Sequence, residues 1–343
     1  MRGVLVEEWT EFEKLRLAEC PRSALQPRQV RIRTQAAGVS FATSLVVSGN
    51  YQRKPPLPFV PGTEIAGIVT EVADGVTRFK VGDRVASVID WGGLAEETPA
   101  FEVNTFKIPD SLEFHKAICF TNSYGTSYAA LMWPHLLRVE AGQTLLVHGA
   151  AGGVGVAAVE IGKILGATVI ATAGSAEKLD IVRDHGADHA INYREGPFRE
   201  QVLELTNGRG ADAIYDPVGG EVFEQSLRCI APEGRIMPVG FAAGTIQQIP
   251  ANILLVKNIT VCGLNMGYYN GWSPDDVRDK YADRMAAMMA QLFAWYDEGR
   301  LKPRVSATFA LDDFQQAMAM VLGRKAQGRV AVVMDEEAAR LGR

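Results

Sequence analysis

The run Val147-His148-Gly149-Ala150-Ala151-Gly152-Gly153-Val154-Gly155 constrains this chain most. A strand-like segment, Thr144 to His148, leads into it. A helical pattern leaves it, with apolar residues at Val154, Ala157, Ala158, Ile161 and Leu165. Gly166 ends that helix before a second apolar strand, Thr168 to Thr172, which completes a β-α-β unit. With 34 glycines in the 343 residues, a glycine cluster alone is weak, so the flanking strand and helix carry the inference. Gly152 lets the backbone approach a pyrophosphate, Gly155 lets the helix pack closely, and Ala150 stands at the first glycine position of G-x-G-x-x-G. Phosphates suit the helix start, where unpaired N–H groups meet the positive end of the dipole. Ala151, Gly152, Gly153 and Val154 are therefore expected to bind a dinucleotide.

The rest of the chain narrows the class. It is 47% hydrophobic and 22% charged, with a net charge of −5, as for a globular protein long enough for two domains. No Lys/Arg-dense run is interleaved with aromatics, which argues against nucleic acid and anionic membranes as partners. The start, Met1-Arg2-Gly3-Val4-Leu5-Val6-Glu7-Glu8, meets acid before a signal-like apolar core develops, and no apolar run reaches a membrane span. A cytoplasmic protein is expected. Cys20, Cys119, Cys229 and Cys262 form no C-x-x-C pair and read as buried free thiols. His185 and His189 have an i, i+4 spacing, but Gly186 reads as a helix C-cap that would separate them, so no metal site is expected there.

The first ~120 residues read as short strands: Val30 and Ile32 alternate with Arg31 and Arg33, and Ile65 to Val72 and Arg84 to Val88 follow. From about Ser123, helices alternate with apolar strands near 144–148, 168–172, 189–191, 212–216, 235–239 and 259–264, the pattern of a doubly wound parallel sheet. Ser273-Pro274-Asp275-Asp276 reads as the start of a long helix ending at Gly299, with Met285, Met288, Met289, Leu292, Phe293 and Trp295 as core. Asp312 is expected to cap a helix over 313–322, and Arg329 to Met334 to form the last strand.

Ala37-Gly38-Val39-Ser40, Pro58-Phe59-Val60-Pro61-Gly62-Thr63-Glu64-Ile65-Ala66-Gly67, Val81-Gly82-Asp83-Arg84-Val85 and the glycine run occur in that order. Together they resemble the medium-chain dehydrogenase/reductase superfamily over nearly the whole chain. Gly149 to Gly155, then Gly186-Ala187-Asp188 and Ile191-Asn192-Tyr193-Arg194, look most like its zinc-free quinone oxidoreductase branch. The resemblance implies an α/β protein: a GroES-like β-rich catalytic domain built from 1–122 and 300–343, a Rossmann NADP-binding domain over 123–299, and an active site in the cleft. Zinc-dependent members place Cys where Ser40 stands and His where Thr63 stands. A hydroxyl is a poor substitute on Zn²⁺, so no metal is expected.

The second strand ends in Ala173-Gly174-Ser175, with no Asp or Glu for the ribose hydroxyls of NAD. Small neutral residues leave room for a 2′-phosphate, with Ser175 as a donor, Lys178 as a charge and Tyr193 closing the other side; Glu177 dissents, or is a solvated first-turn acid. NADPH is the expected cofactor. By resemblance, Thr126 lies near the nicotinamide and phosphates, while Val218 and Gly240-Phe241 follow the fourth and fifth strands. Also by resemblance, Tyr51 lies in the cleft, as an acid or as an aromatic wall. Ser40 and Thr43 replace an Asn and an Asp of the branch, which bears on the substrate. The implied activity is NADPH-dependent reduction of a quinone. Reduction of an activated C=C bond in an enone, enal or enoyl thioester is the alternative, and an NADPH-binding protein with little turnover the third. A homodimer is implied, with Ile259 to Leu264 at a sheet edge that a second subunit would extend.

Overall fold

The computed structural model describes residues 1–334, so the tail 335–343 of the expected return segment lies outside the described residues. The chain forms two compact units. One comprises Met1–Asn122, Met266–Asp297 and Pro303–Arg343; the other comprises Ser123–Asn265 and Glu298–Lys302.

In the first unit, β1 (Arg2–Leu5) pairs antiparallel with β2 (Arg16–Glu19). The main sheet uses β3 (Gln29–Val39), β4 (Glu64–Val72), β5 (Arg84–Val88), β6 (Glu97–Phe101) and β7 (Thr105–Lys107). β3 pairs with both β4 and β6, so the alternation across Val30 to Arg33 does not expose both arginines. Arg31 is buried and bonds to Glu71 (3.1 Å) and to the Ser23 carbonyl (2.8 Å), leaving Arg33 as the exposed member. At the start of β4, the buried Glu64 carboxylate accepts from Asn122 Nδ2 (2.7 Å) and from Arg329.

The second unit holds β8 (Thr144–Val147), β9 (Thr168–Ala173), β10 (His189–Asn192), β11 (Ala211–Asp216), β12 (Ile230–Pro238) and β13 (Thr260–Val261). All pairings are parallel, in the order β10-β9-β8-β11-β12-β13. The order reverses between β8 and β11, and in such sheets a ligand binds outside the strand ends at that point. The core joins Leu146, Ile170, Ile191, Ile214 and Ile236 from successive strands, a set buried on both faces as parallel sheets require. The sixth strand is shorter than the apolar run 259–264 suggested, and it forms the edge.

The chain closes with β14 (Val305–Ala310) and β15 (Arg329–Val333), which extend the first unit's sheet to β14-β15-β3-β4-β5-β7, with β6 on β3. Two helix starts differ from expectation. The long helix is Ala282–Asp297, preceded by a 3-10 turn at Asp279–Tyr281, rather than beginning near Ser273. Asp276 takes a φ of 41°, and its carboxylate binds Arg278 Nε (2.7 Å) instead of capping; Arg278 also reaches Asp90 (3.3 Å) and lies over the Phe101 ring. These contacts, with Arg28–Asp279 (2.7 Å) and Asn104–Asn270 (2.9 Å), group 266–297 with the first unit rather than with the parallel sheet. Asp312 sits inside a 3-10 turn, Leu311–Asp313, and pairs with Arg2 (3.1 Å), so the helix Phe314–Leu322 starts after it.

Candidate functional site

The turn after β8 is built almost wholly from backbone. Gly149 adopts φ 54°, Gly152 donates to its carbonyl (2.9 Å), and the helix Gly153–Ile164 begins with Gly152 as N-cap and no side chain capping it. Its first-turn N–H groups therefore keep their capacity for an anion. A Cβ at Gly155 would come within 2.5 Å of the Gly149 oxygen and 2.6 Å of Ala150 Cα, so only glycine lets the helix close on its own turn. At Gly152 the nearest heavy atom would be 3.2 Å away, so that face of the turn is less crowded.

Neighbouring elements brace this turn. Ser127, on the helix Gly125–Met132, donates to the Val154 carbonyl (2.8 Å), which sets the adjacent Thr126 beside the glycine helix. Because that proton is used, the Tyr215 hydroxyl donates to Ser127 Oγ (3.0 Å). Tyr215 is fully buried, and burial raises its phenol well above the ordinary range. His148 is buried between Thr172 and Ser226. Ser226 spends its proton on the Val222 carbonyl (2.7 Å), so His148 Nε2–H donates to Ser226 (2.8 Å) and Nδ1 accepts from Thr172 (2.9 Å). Burial lowers His148 to about 4, opposed by the charge of Asp216.

At the end of β11, Asp216 is buried, and its Oδ1 accepts from the Val218 (2.8 Å) and Gly219 (3.0 Å) amides. That turn positions Val218 against the glycine turn: a Cβ on Gly149 would lie 3.5 Å from a Val218 methyl. Gly240 follows β12, where a Cβ would lie 3.3 Å from the Pro217 carbonyl, so the loops after β11 and β12 converge. Phe241 is 43% exposed on this rim.

The rim beyond β9 is built from side chains. Ser175 caps the helix Ala176–Asp184 by accepting from the Lys178 amide (3.4 Å), which leaves its own proton to donate. Parallel pairing of Asn192 with Ala173 brings Tyr193 over Gly174; a Cβ there would be 2.5 Å from the Tyr193 oxygen and 3.2 Å from Arg194 Nε. Gly174, Ser175, Lys178 and Tyr193 are thus neighbours. Arg194 joins them and was not singled out from the sequence. Its guanidinium has no ion pair among the described residues, and the signal available was its place directly after Tyr193. Glu177 is exposed in the first helical turn.

In the first unit, Ser40 is the N-cap residue of the short helix Phe41–Val47; its amide donates to Thr43 Oγ1 (3.3 Å), and the two hydroxyls are 3.3 Å apart. Tyr51 follows that helix with its amide on the Leu45 carbonyl (3.1 Å). Burial raises its phenol above the ordinary value, with a hydrogen bond to Gln52 opposing. Tyr51 is therefore a neutral donor at working pH.

Comparison with known proteins matches residues 26–110 to the family described as "Alcohol dehydrogenase GroES-like domain" and 153–287 to "Zinc-binding dehydrogenase". The "Quinone oxidoreductase-like protein 2 homolog" of Nematostella vectensis is 44% identical over 307 residues, covering 89% of this chain and 81% of that protein. Human "Quinone oxidoreductase" is 31% identical, covering 97% of this chain and 98% of that protein. The crystal structure of Escherichia coli quinone oxidoreductase complexed with NADPH superposes with a TM-score of 0.87 at 27% identity, covering 97% of this chain and 100% of that one.

The donor set does not fit the zinc of that family description. Ser40 and Thr63 offer hydroxyls, and Ser40 is engaged with Thr43. Among the described residues no group of three His, Cys, Asp or Glu side chains could hold a metal ion.

Proposed function

The chain belongs to the medium-chain dehydrogenase/reductase superfamily, in its quinone oxidoreductase-like branch, and from that membership we propose that it reduces a quinone with NADPH, without zinc. It is an NADPH-dependent oxidoreductase. The observation that carries the cofactor assignment is the rim of β9 and β10, where the Tyr193 hydroxyl and the Arg194 guanidinium pack against Gly174, Ser175 keeps its proton to donate and Lys178 follows in the first turn of the next helix, with no carboxylate at the strand end.

Bound NADPH supplies the hydride, and the residues of the chain supply position. Ala151, Gly152, Gly153 and Val154 present backbone to the diphosphate. Thr126, Val218, Gly240 and Phe241 would hold the nicotinamide end. A quinone accepts hydride into a delocalised ring whose oxygens take protons from water, so the reaction needs neither a Lewis acid nor a strong protein acid. Ser40 and Tyr51 are then substrate contacts, with Tyr51 donating a hydrogen bond from its neutral phenol. An activated alkene is the second acceptor class, and the same Tyr51 hydroxyl is what would favour it.

Steady-state rates on a panel of quinones, enones and enoyl thioesters, with NADPH and with NADH, test the assignment. Faster turnover of quinones with NADPH is expected. An alkene turned over at least about tenfold faster would reverse the order of the two readings. Activity should also survive exhaustive chelation, and tightly bound zinc whose removal abolishes turnover would end the zinc-free reading.

A homodimer through the β13 edge is part of the same proposal. Leu255 and Val256, on the helix just before that strand, are 77% and 75% exposed. Sedimentation at micromolar concentration should give twice the monomer mass, and a monomer alone would exclude the stable dimer. Four free, buried thiols fit a reducing compartment, the cytoplasm. No helix among the described residues is long and apolar enough to cross a membrane.

A further inference from the structure

Within the second unit, away from the glycine turn, the far end of the glycine helix, the end of the helix Ala176–Asp184 and the strap 298–302 border an open cavity of about 270 Å³. At its base the Glu160 carboxylate is 4% exposed and accepts from the Tyr124 hydroxyl (2.6 Å), His185 Nδ1 (2.6 Å) and the Lys302 amide (3.1 and 3.2 Å). A carboxylate with this many donors fixes the imidazole tautomer, so Nδ1 carries the proton. The His185 side chain is only 8% exposed, lines the cavity, and has no bonding partner at Nε2 among the described residues.

We infer that this cavity is a binding site for a small tetrahedral oxyanion, held by His185 Nε2 in its protonated state together with Arg300 and Lys302. The charges decide against a cation. Glu160 has spent its oxygens on three donors, and Lys163, Arg300 and Lys302 all line the space. Lys163 is occupied by Asp188 (2.7 Å), and Arg300 contacts Glu298 at 3.3 Å. The Lys302 ammonium forms no ion pair among the described residues, and its backbone bond to Glu160 anchors it at the cavity. Asp184 is the opposing charge. It is exposed at the helix end, where water screens it more than it screens the buried pair. The groups facing His185 are thus Glu160 and Lys163 from the glycine helix, Tyr124, Asp184 on its own helix, and Arg300 and Lys302 from the strap. In the neutral ring Nε2 presents a lone pair that repels an oxyanion, so binding takes up one proton, which moves to Nε2.

Calorimetric titration with sulfate, whose charge is constant from pH 6 to 8, tests this on the full chain with saturating NADPH and fixed ionic strength. The expected result is saturable millimolar binding at pH 6, weaker by about tenfold or more at pH 8. His185→Asn keeps an N–H positioned for Glu160 but has no cavity-facing nitrogen, so it should abolish sulfate binding and leave NADPH affinity unchanged. The double variant R300A/K302A retains the Lys302 backbone bond and should weaken sulfate by about tenfold at both pH values. Inorganic phosphate and glycerol phosphate run alongside: tighter binding of the ester assigns a phosphorylated metabolite, and equal binding a free ion. No saturable binding with NADPH bound, equal affinity at the two pH values, or unchanged affinity in either variant would overturn the site.

Discussion

The glycine turn and the rim beyond β9 lie on consecutive strands of one sheet, yet they are made of different material. The turn is backbone: Gly149 takes a positive φ, Gly155 has room for nothing larger and Gly152 serves as the helix N-cap, while the side chains that brace it, Ser127, Tyr215 and Asp216, are buried. The rim is side chain: Tyr193 and Arg194 pack against Gly174, with Ser175 as N-cap and Lys178 in the first turn of the helix that follows, and solvent near at hand. A backbone site binds what every dinucleotide shares, whereas a side-chain site discriminates between them. Changes in the turn should therefore strike both cofactors and the fold, and changes in the rim one cofactor only.

The severest break is Gly155→Val. The new Cβ would sit 2.5 Å from a backbone oxygen that cannot give way, so binding of NADPH and NADH alike should fall by more than about a hundredfold, with stability lowered by about 1–3 kcal/mol. Cofactor titration and urea melts read both effects, and a variant with normal affinity would remove the turn from the diphosphate site.

Next in size is the pH response of His148. Its folded value is about 4 against an ordinary 6.5, so between those limits the unfolded chain binds the extra proton. The stability contributed by the buried neutral ring is full above 6.5 and is lost as pH falls toward 4, roughly 3 kcal/mol in all. His148→Gln should flatten that part of the stability–pH curve, and an unaltered curve would assign the loss to other groups.

The rim is sharpened by Lys178→Ala and Arg194→Ala. Each removes a charge-assisted bond to the proposed 2′-phosphate and should weaken NADPH by about 1.5–3 kcal/mol, one to two decades, while NADH changes little. Equal effects on both cofactors from either variant would erase the contrast between turn and rim at that residue. The smallest effect is expected in the other unit, where Tyr51→Phe should slow enone reduction by about tenfold and barely alter quinone turnover. Equal losses on both substrates would make Tyr51 an orienting residue, and no loss a wall.

Legibility followed the same divide. The turn and its β-α-β context were readable because a backbone constraint leaves glycine at fixed spacing, and four of the six strands beyond Ser123 stand within about two residues of their apolar runs, β12 starting earlier and β13 ending short. Ser175, Lys178 and Tyr193 were readable with help from resemblance. Arg194 was missed because its approach to Gly174 depends on the register of two parallel strands, and the Ser127–Tyr215 pair because 88 residues separate its members. Asp216 did carry a signal, an acid ending an apolar strand, that was not used. The false helix start at Ser273 has the opposite origin: the local cap signals were real, but Arg278 draws Asp276 away from the helix.

The burial of the cysteines has a consequence for the chemistry proposed. Quinones and enones are electrophiles that add to thiolates, so a reductase of such compounds is exposed to its own substrate. Here Cys20, Cys119, Cys229 and Cys262 are all buried; burial raises the thiols of Cys20 and Cys262 and pushes Cys229 up to about 12. Reaction needs both access and the ionised form; burial withholds access from all four thiols and disfavours the thiolate of Cys20, Cys229 and Cys262. For the proposed chemistry, that burial lowers the thiols' reactivity toward an electrophilic acceptor.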